Sequence, residues 1–124
     1  MKKIKLIIHE PLINKIIGSE LTLLLDKANL INAISEADKI INDKGKFPVP
    51  NYQSLLHMVY NPVQNRFYKQ VAVSAYDESG QLLTVRDAPK KALPEKAIVV
   101  LIPAGGCISE WEEAIGYEEF LKAL

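Results

Sequence analysis

Ala97–Gly106 reads Ala-Ile-Val-Val-Leu-Ile-Pro-Ala-Gly-Gly, and within it Ile98 to Ile102 is an unbroken β-branched and leucine run. A run that is apolar at every position fits a strand covered on both faces of its pleat, in the middle of a sheet. Pro103 ends it, and Gly105-Gly106 frees the backbone immediately afterwards. The expected construction is a central strand that hands a diglycine to solvent. Cys107–Leu124 then follows, a segment of different chemistry.

The totals bound the answer. A chain of 124 residues suits one domain, and a domain of that size buries about two thirds of its unfolded surface. With 48% hydrophobic and 24% charged residues and a net charge of zero, there is no basic excess to neutralise phosphates, so nucleic acid is not an expected partner. The one cysteine, Cys107, leaves neither an internal disulfide nor a cysteine-based zinc site. The start, Met-Lys-Lys-Ile-Lys-Leu-Ile-Ile, faintly imitates a signal peptide, but His9, Glu10 and Pro11 interrupt it too early. No segment approaches the roughly 18 apolar residues of a membrane span. Cytoplasm is the expected compartment, with no membrane association.

The neutral total conceals an asymmetry. Residues 1–106 carry fourteen Lys and Arg against ten Asp and Glu, whereas residues 107–124 carry one Lys against five Glu. The body is expected to be mildly basic and the tail acidic.

Ile4, Leu6 and Ile8 alternate with Lys3, Lys5 and Ile7, which predicts a strand. Pro11, Asn14 and Gly18 mark a break, oddly apolar for a loop. Leu21, Leu23 and Leu25 alternate again, so the two runs can pair as an antiparallel hairpin. Asp26–Lys44 changes period: Leu30, Ile34, Ala37 and Ile41 fall on one helical stripe. Asn29, or Asp26 one turn earlier, can cap it, and Gly45 can end it. Residues 46–66, punctuated by Pro48, Pro50 and Pro62, read as an insertion lying against the core. A short helix is predicted there around Leu55, Leu56 and Val59, with His57 inside it. Gln70–Tyr76 and Gln81–Val85 flank the turn Asp77-Glu78-Ser79-Gly80 as a second hairpin. The predicted class is α+β: a mixed sheet crossed by one main helix, with the last strand beside the first and parallel to it. This is the β-grasp arrangement.

Element order and closing segment together resemble the ubiquitin-like sulfur carriers, the molybdopterin synthase small subunit and the thiamine-pathway carrier. Asp87-Ala88-Pro89, the run Ala97–Pro103 and Gly105-Gly106 carry the likeness. It covers residues 1–45 and 70–106, of which the last ten or so are motif-like. The resemblance implies a carrier whose terminal glycine, here Gly106, is adenylylated by a partner enzyme using ATP and converted to a thiocarboxylate that donates sulfur. The carrier itself binds no cofactor and supplies no catalytic residue; its partners are an activating enzyme or a synthase large subunit. Two departures stand out. Only Ala104 separates Pro103 from Gly105, where the family has two residues. The chain also continues past Gly106, so a protease must expose that carboxylate, or else the fold persists as a protein-interaction module without carrier chemistry.

The tail has its own logic. Ser109 and Glu112 make a capping box. Trp111, Ala114, Ile115, Phe120, Leu121 and Leu124 approximate one helical face, which Gly116 can divide. Two readings stand: the stripe covers the open face of the sheet, or it forms a partner surface through Trp111, Ile115, Phe120 and Leu121. Cys107 is either an inert buried thiol or a reactive one. His9 and His57 read as structural or solvent-facing, since no helical His pair or Cys cluster makes a metal site. Lys2, Lys3, Lys5, Lys15, Lys90, Lys91 and Lys96 can form a modest basic face able to attract the acidic tail. The oligomeric state is left open.

Overall fold

The computed structural model describes residues 1–103 and 112–124. Its main sheet is mixed and five-stranded. β1 (Lys2–Ile8) pairs antiparallel with β2 (Glu20–Leu25) and parallel with β7 (Ile98–Ile102). On its other side β7 pairs antiparallel with β5 (Ala72–Tyr76), which pairs with the two-residue β6 (Leu82–Leu83). The order is β2-β1-β7-β5-β6, so the apolar run does occupy the middle. The parallel β1–β7 register sets Leu6 beside Val99 and Ile8 beside Leu101.

One expectation about β7 changes. Val99 and Leu101 are fully buried, while Ile98, Val100 and Ile102 are only half-buried. The sheet is covered on one face, and the other is open among the described residues. A continuous apolar run fits a one-sided strand here because Ile98, Val100 and Ile102 lie between the side chains of β1 and β5 at the sheet centre, where neighbouring strands shield them.

The covered face is packed by α2 (Leu30–Lys44). Asn29 is its cap, accepting a bond from the Asn32 N–H at 2.7 Å. Leu30, Ala33, Ile34, Ala37 and Ile41 are each fully buried, and each of the larger ones contributes about 1.5–3 kcal/mol by leaving water.

The predicted break at 11–18 is a helix, α1 (Pro11–Ile17). Pro11 occupies its first turn and the Glu10 carboxylate accepts from the Ile13 N–H at 2.8 Å. Gly18, at φ 78°, ends it. Its oddly apolar residues are explained by Ile13, which is fully buried.

Residues 46–66 pack into the core through Phe47, Leu55, Leu56, Met58, Val59 and Tyr60. α3 (Leu55–Val59) is capped by Ser54, and β3 (Tyr60–Asn61) pairs with β4 (Arg66–Phe67) in a small hairpin. Leu55, Val59, Tyr60, Phe67 and Tyr68 are all buried. The second predicted hairpin is shorter than expected, with Leu82 and Leu83 alone pairing back onto β5.

The tail departs most. Glu112–Gly116 is not helical, and α4 begins only at Tyr117 and runs to Ala123. It packs on residues 57–70 rather than over the open sheet face. Among the described residues no helix is long and apolar enough to cross a membrane.

Candidate functional site

The carrier motif itself, Gly105 and Gly106, with Cys107, Ser109 and Trp111, lies outside the described residues. What the structure places is the chain on either side: Pro103 at the buried end of β7, and the tail from Glu112 onward.

The tail is received by a cradle built from α3 and the chain just after β4. Gln70, buried, turns its side-chain amide onto the main chain of Glu112: Nε2 donates to the Glu112 carbonyl at 2.8 Å, and the Glu112 N–H donates to Oε1 at 3.0 Å. Arg66 Nη2 donates to both Glu112 carboxylate oxygens, at 3.0 and 3.1 Å. Three residues on, the Ile115 N–H donates to the Tyr68 hydroxyl at 3.0 Å. The Ile115 carbonyl meets His57 Nε2 at 2.6 Å.

That last contact fixes a tautomer. His57 Nδ1 accepts the Gln53 N–H at 3.2 Å, so the ring proton belongs on Nε2, where it is donated to Ile115. The ring is almost wholly buried and is flanked by Tyr52, Tyr117 and Phe120, with the last two centroids each 5.2 Å away. Burial also raises the Tyr68 hydroxyl above its ordinary value, and Glu112 nearby pushes the same way.

The cradle is supported from α2. The Asp38 carboxylate accepts from the N–H groups of Leu55 and Leu56, at 2.6 and 3.0 Å, and so closes the start of α3. Desolvation lifts its pKa to about 6, and those two bonds only partly oppose the rise.

Of the predicted partner surface, Phe120 is turned inward and is 2% exposed, so it belongs to the chain's own core. Ile115 is half-buried in the cradle, and Leu121 stands 50% exposed on the outer side of α4. Among the described residues no group of three or more His, Cys, Asp or Glu side chains forms a metal-binding cluster.

A second feature lies on the open sheet face. Lys3, Lys5, Thr22, Glu78, Lys96 and Ile98 line a groove of about 230 Å³. Lys5 pairs with Glu20 at 3.1 Å and Lys96 with Glu78 at 3.4 Å. Both pairs are half-exposed, so each contributes about 1 kcal/mol at most. The predicted basic face is therefore smaller than expected: Lys3, Lys5 and Lys96 come together, and their charge is largely answered. Lys2 points elsewhere, donating to the Leu93 carbonyl at 2.9 Å. Lys15 sits on α1, and Lys90 and Lys91 line no part of the groove. His9 is exposed at the end of β1.

Chemically, the cradle holds a peptide main chain: Gln70, Tyr68 and His57 each bond to the backbone of Glu112 or Ile115. The chain matches no protein-family model, no curated protein and no solved structure.

Proposed function

We propose that this chain is a non-catalytic protein-interaction module on a β-grasp, ubiquitin-like frame. With the small β3–β4 hairpin set aside, the order β2-β1-β7-β5-β6, its central parallel pair and the crossing helix α2 support that frame. The observation carrying the functional reading is the anchorage of the tail: four side chains hold the main chain or carboxylate of Glu112 and Ile115, and Phe120 is buried behind them. A sulfur carrier needs a free carboxylate at Gly106, whereas this chain continues past it, with Glu112 and Ile115 hydrogen-bonded to the body and Phe120 buried. The module meets its partner through the outer side of α4 and the residue that caps it, where Leu121 and Leu124 are exposed. Site-specific photo-crosslinking from position 121 in cells tests this. One discrete protein adduct, lost on Leu124→Glu, is the expected result; no adduct overturns the reading.

The carrier reading has its own support: β7 runs beside β1 in the sheet centre and leads directly into Pro103-Ala104-Gly105-Gly106. In this reading a protease removes 107–124, and Gly106 is activated by an ATP-dependent enzyme. The intact mass of the chain taken from its native cells decides. A species ending at Gly106, or one with sulfur in place of oxygen there, establishes the carrier; full-length protein alone leaves the module.

A further inference from the structure

We propose that β2 is a self-association edge, along which two copies of this chain pair antiparallel about a twofold axis at Thr22. The argument begins with which main-chain groups are already spent. The Lys5 and His9 N–H groups donate to Ala97 and Leu101, and the Lys3 carbonyl accepts from Lys96, so odd-numbered positions of β1 serve the β7 side. The Ile8 N–H donates to Ser19, so even-numbered positions serve the β2 side. The register pairs Ile4 with Leu23 and Leu6 with Leu21. Leu21, Leu23 and Leu25 therefore bond inward, and Glu20, Thr22 and Leu24 turn their N–H and C=O groups outward. Among the described residues nothing bonds to those outward groups.

The three outward positions are symmetric about the middle one. An antiparallel copy sets Thr22 opposite Thr22, and Glu20 opposite Leu24 on each side, every pair exchanging two hydrogen bonds. The charge pattern permits this. Glu20 is the one charge in the strand, and the twofold carries the two copies of it to opposite ends, each facing a Leu24 that is 57% exposed in the single chain. Native edge strands are usually shielded by lysine, proline, a bulge or shortness. β6, at the other border of the sheet, has two residues and follows a glycine turn. β2 has six residues, no lysine, proline or bulge, and a single charge, Glu20, at its start. An open groove of about 340 Å³ between Leu25, Asn32, Ser35 and Lys39 leaves room beside it for the flank of a second strand.

The test uses the full chain in sedimentation equilibrium across the micromolar to millimolar range, with amide exchange read at both ends of it. A concentration-dependent dimer is expected, with new protection at Glu20, Thr22 and Leu24 and none gained at Leu21 or Leu23. Thr22→Pro removes an outward N–H without touching the β1 ladder and is expected to weaken the dimer at least tenfold, with its far-UV circular dichroism unchanged. Leu24→Glu, which sets a like charge opposite Glu20 of the other copy on each side of the axis but meets Lys3 within its own chain, is expected to weaken it similarly, whereas Leu24→Lys is not. A monomer at every concentration, or a dimer indifferent to both Thr22→Pro and Leu24→Glu, overturns the proposal.

Discussion

The side-chain amide of Gln70 pairs with Glu112 as a strand neighbour would, donating to its carbonyl and accepting its N–H. One residue thus supplies the edge to which a separate part of the chain returns. Replacement by alanine leaves a part-buried N–H and C=O without partners, at a cost of about 1–3 kcal/mol. In Gln70→Ala, amide exchange at Ile115 and Phe120 should accelerate well before the sheet opens. Equal acceleration across β1 and β7 would show that the tail and the sheet open as one.

Phe120 and Leu121 are neighbours in sequence with opposite fates, 2% and 50% exposed. Phe120→Ala should lower the unfolding free energy by about 3–5 kcal/mol. Leu121→Ala should stay within about 0.5 kcal/mol of the parent. Urea denaturation of the two variants measures both, and similar values for the pair would contradict the orientation of α4.

Asp38 gives the chain a pH dependence of unusual sign. Its pKa stands at about 6 in the fold against 3.8 for the ordinary carboxyl, so the folded state holds the proton more tightly. Over pH 4 to 6 the folded chain binds more protons than the unfolded one. This group's contribution therefore falls as pH rises, by on the order of 2–3 kcal/mol across the window. Urea unfolding at several pH values should show a slope in that range that Asp38→Asn flattens. An unchanged slope in Asp38→Asn would assign the dependence to other groups.

Gly116 sits at the cap position of α4 with φ −55° and ψ 145°, and no side chain caps the helix. A Cβ there meets nothing within 4 Å. Gly116→Ser should therefore stabilise the chain by about 0.5–1 kcal/mol, through a new cap and a less free unfolded chain. Gly18→Ser should do the opposite, because φ 78° with ψ −173° is a region that only glycine occupies readily. Melting temperatures of the two variants should move in opposite directions.

Much of the sheet was legible because strand and helix periods are local. The alternation of Ile4, Leu6 and Ile8 and the stripe Leu30, Ile34, Ala37 and Ile41 each announce their own element, and Asn29 and Gly45 mark the ends of α2. α1 escaped because Pro11–Ile17 is too short to display a helical period, and because Pro11, a good first-turn residue, also reads as a breaker. The cradle left no local sign at all. Gln70 and Glu112 lie 42 positions apart, and His57 and Ile115 lie 58 apart. A main-chain partner leaves no mark on the residue type that supplies it. Ser109, the first half of the expected capping box, lies outside the described residues; Glu112, the second half, gives its carboxylate to Arg66 and its main chain to Gln70, and the helix starts only at Tyr117.

The grip on Glu112 and Ile115 changes what a cut after Gly106 would accomplish. Severing one peptide bond removes none of the contacts made by Gln70, Tyr68, His57 and Phe120, so the liberated fragment stays in place as a bound peptide. Such a product would migrate as two bands under denaturing electrophoresis and as one particle in native gel filtration, and freeing the new terminus would take a second event that pries the fragment loose.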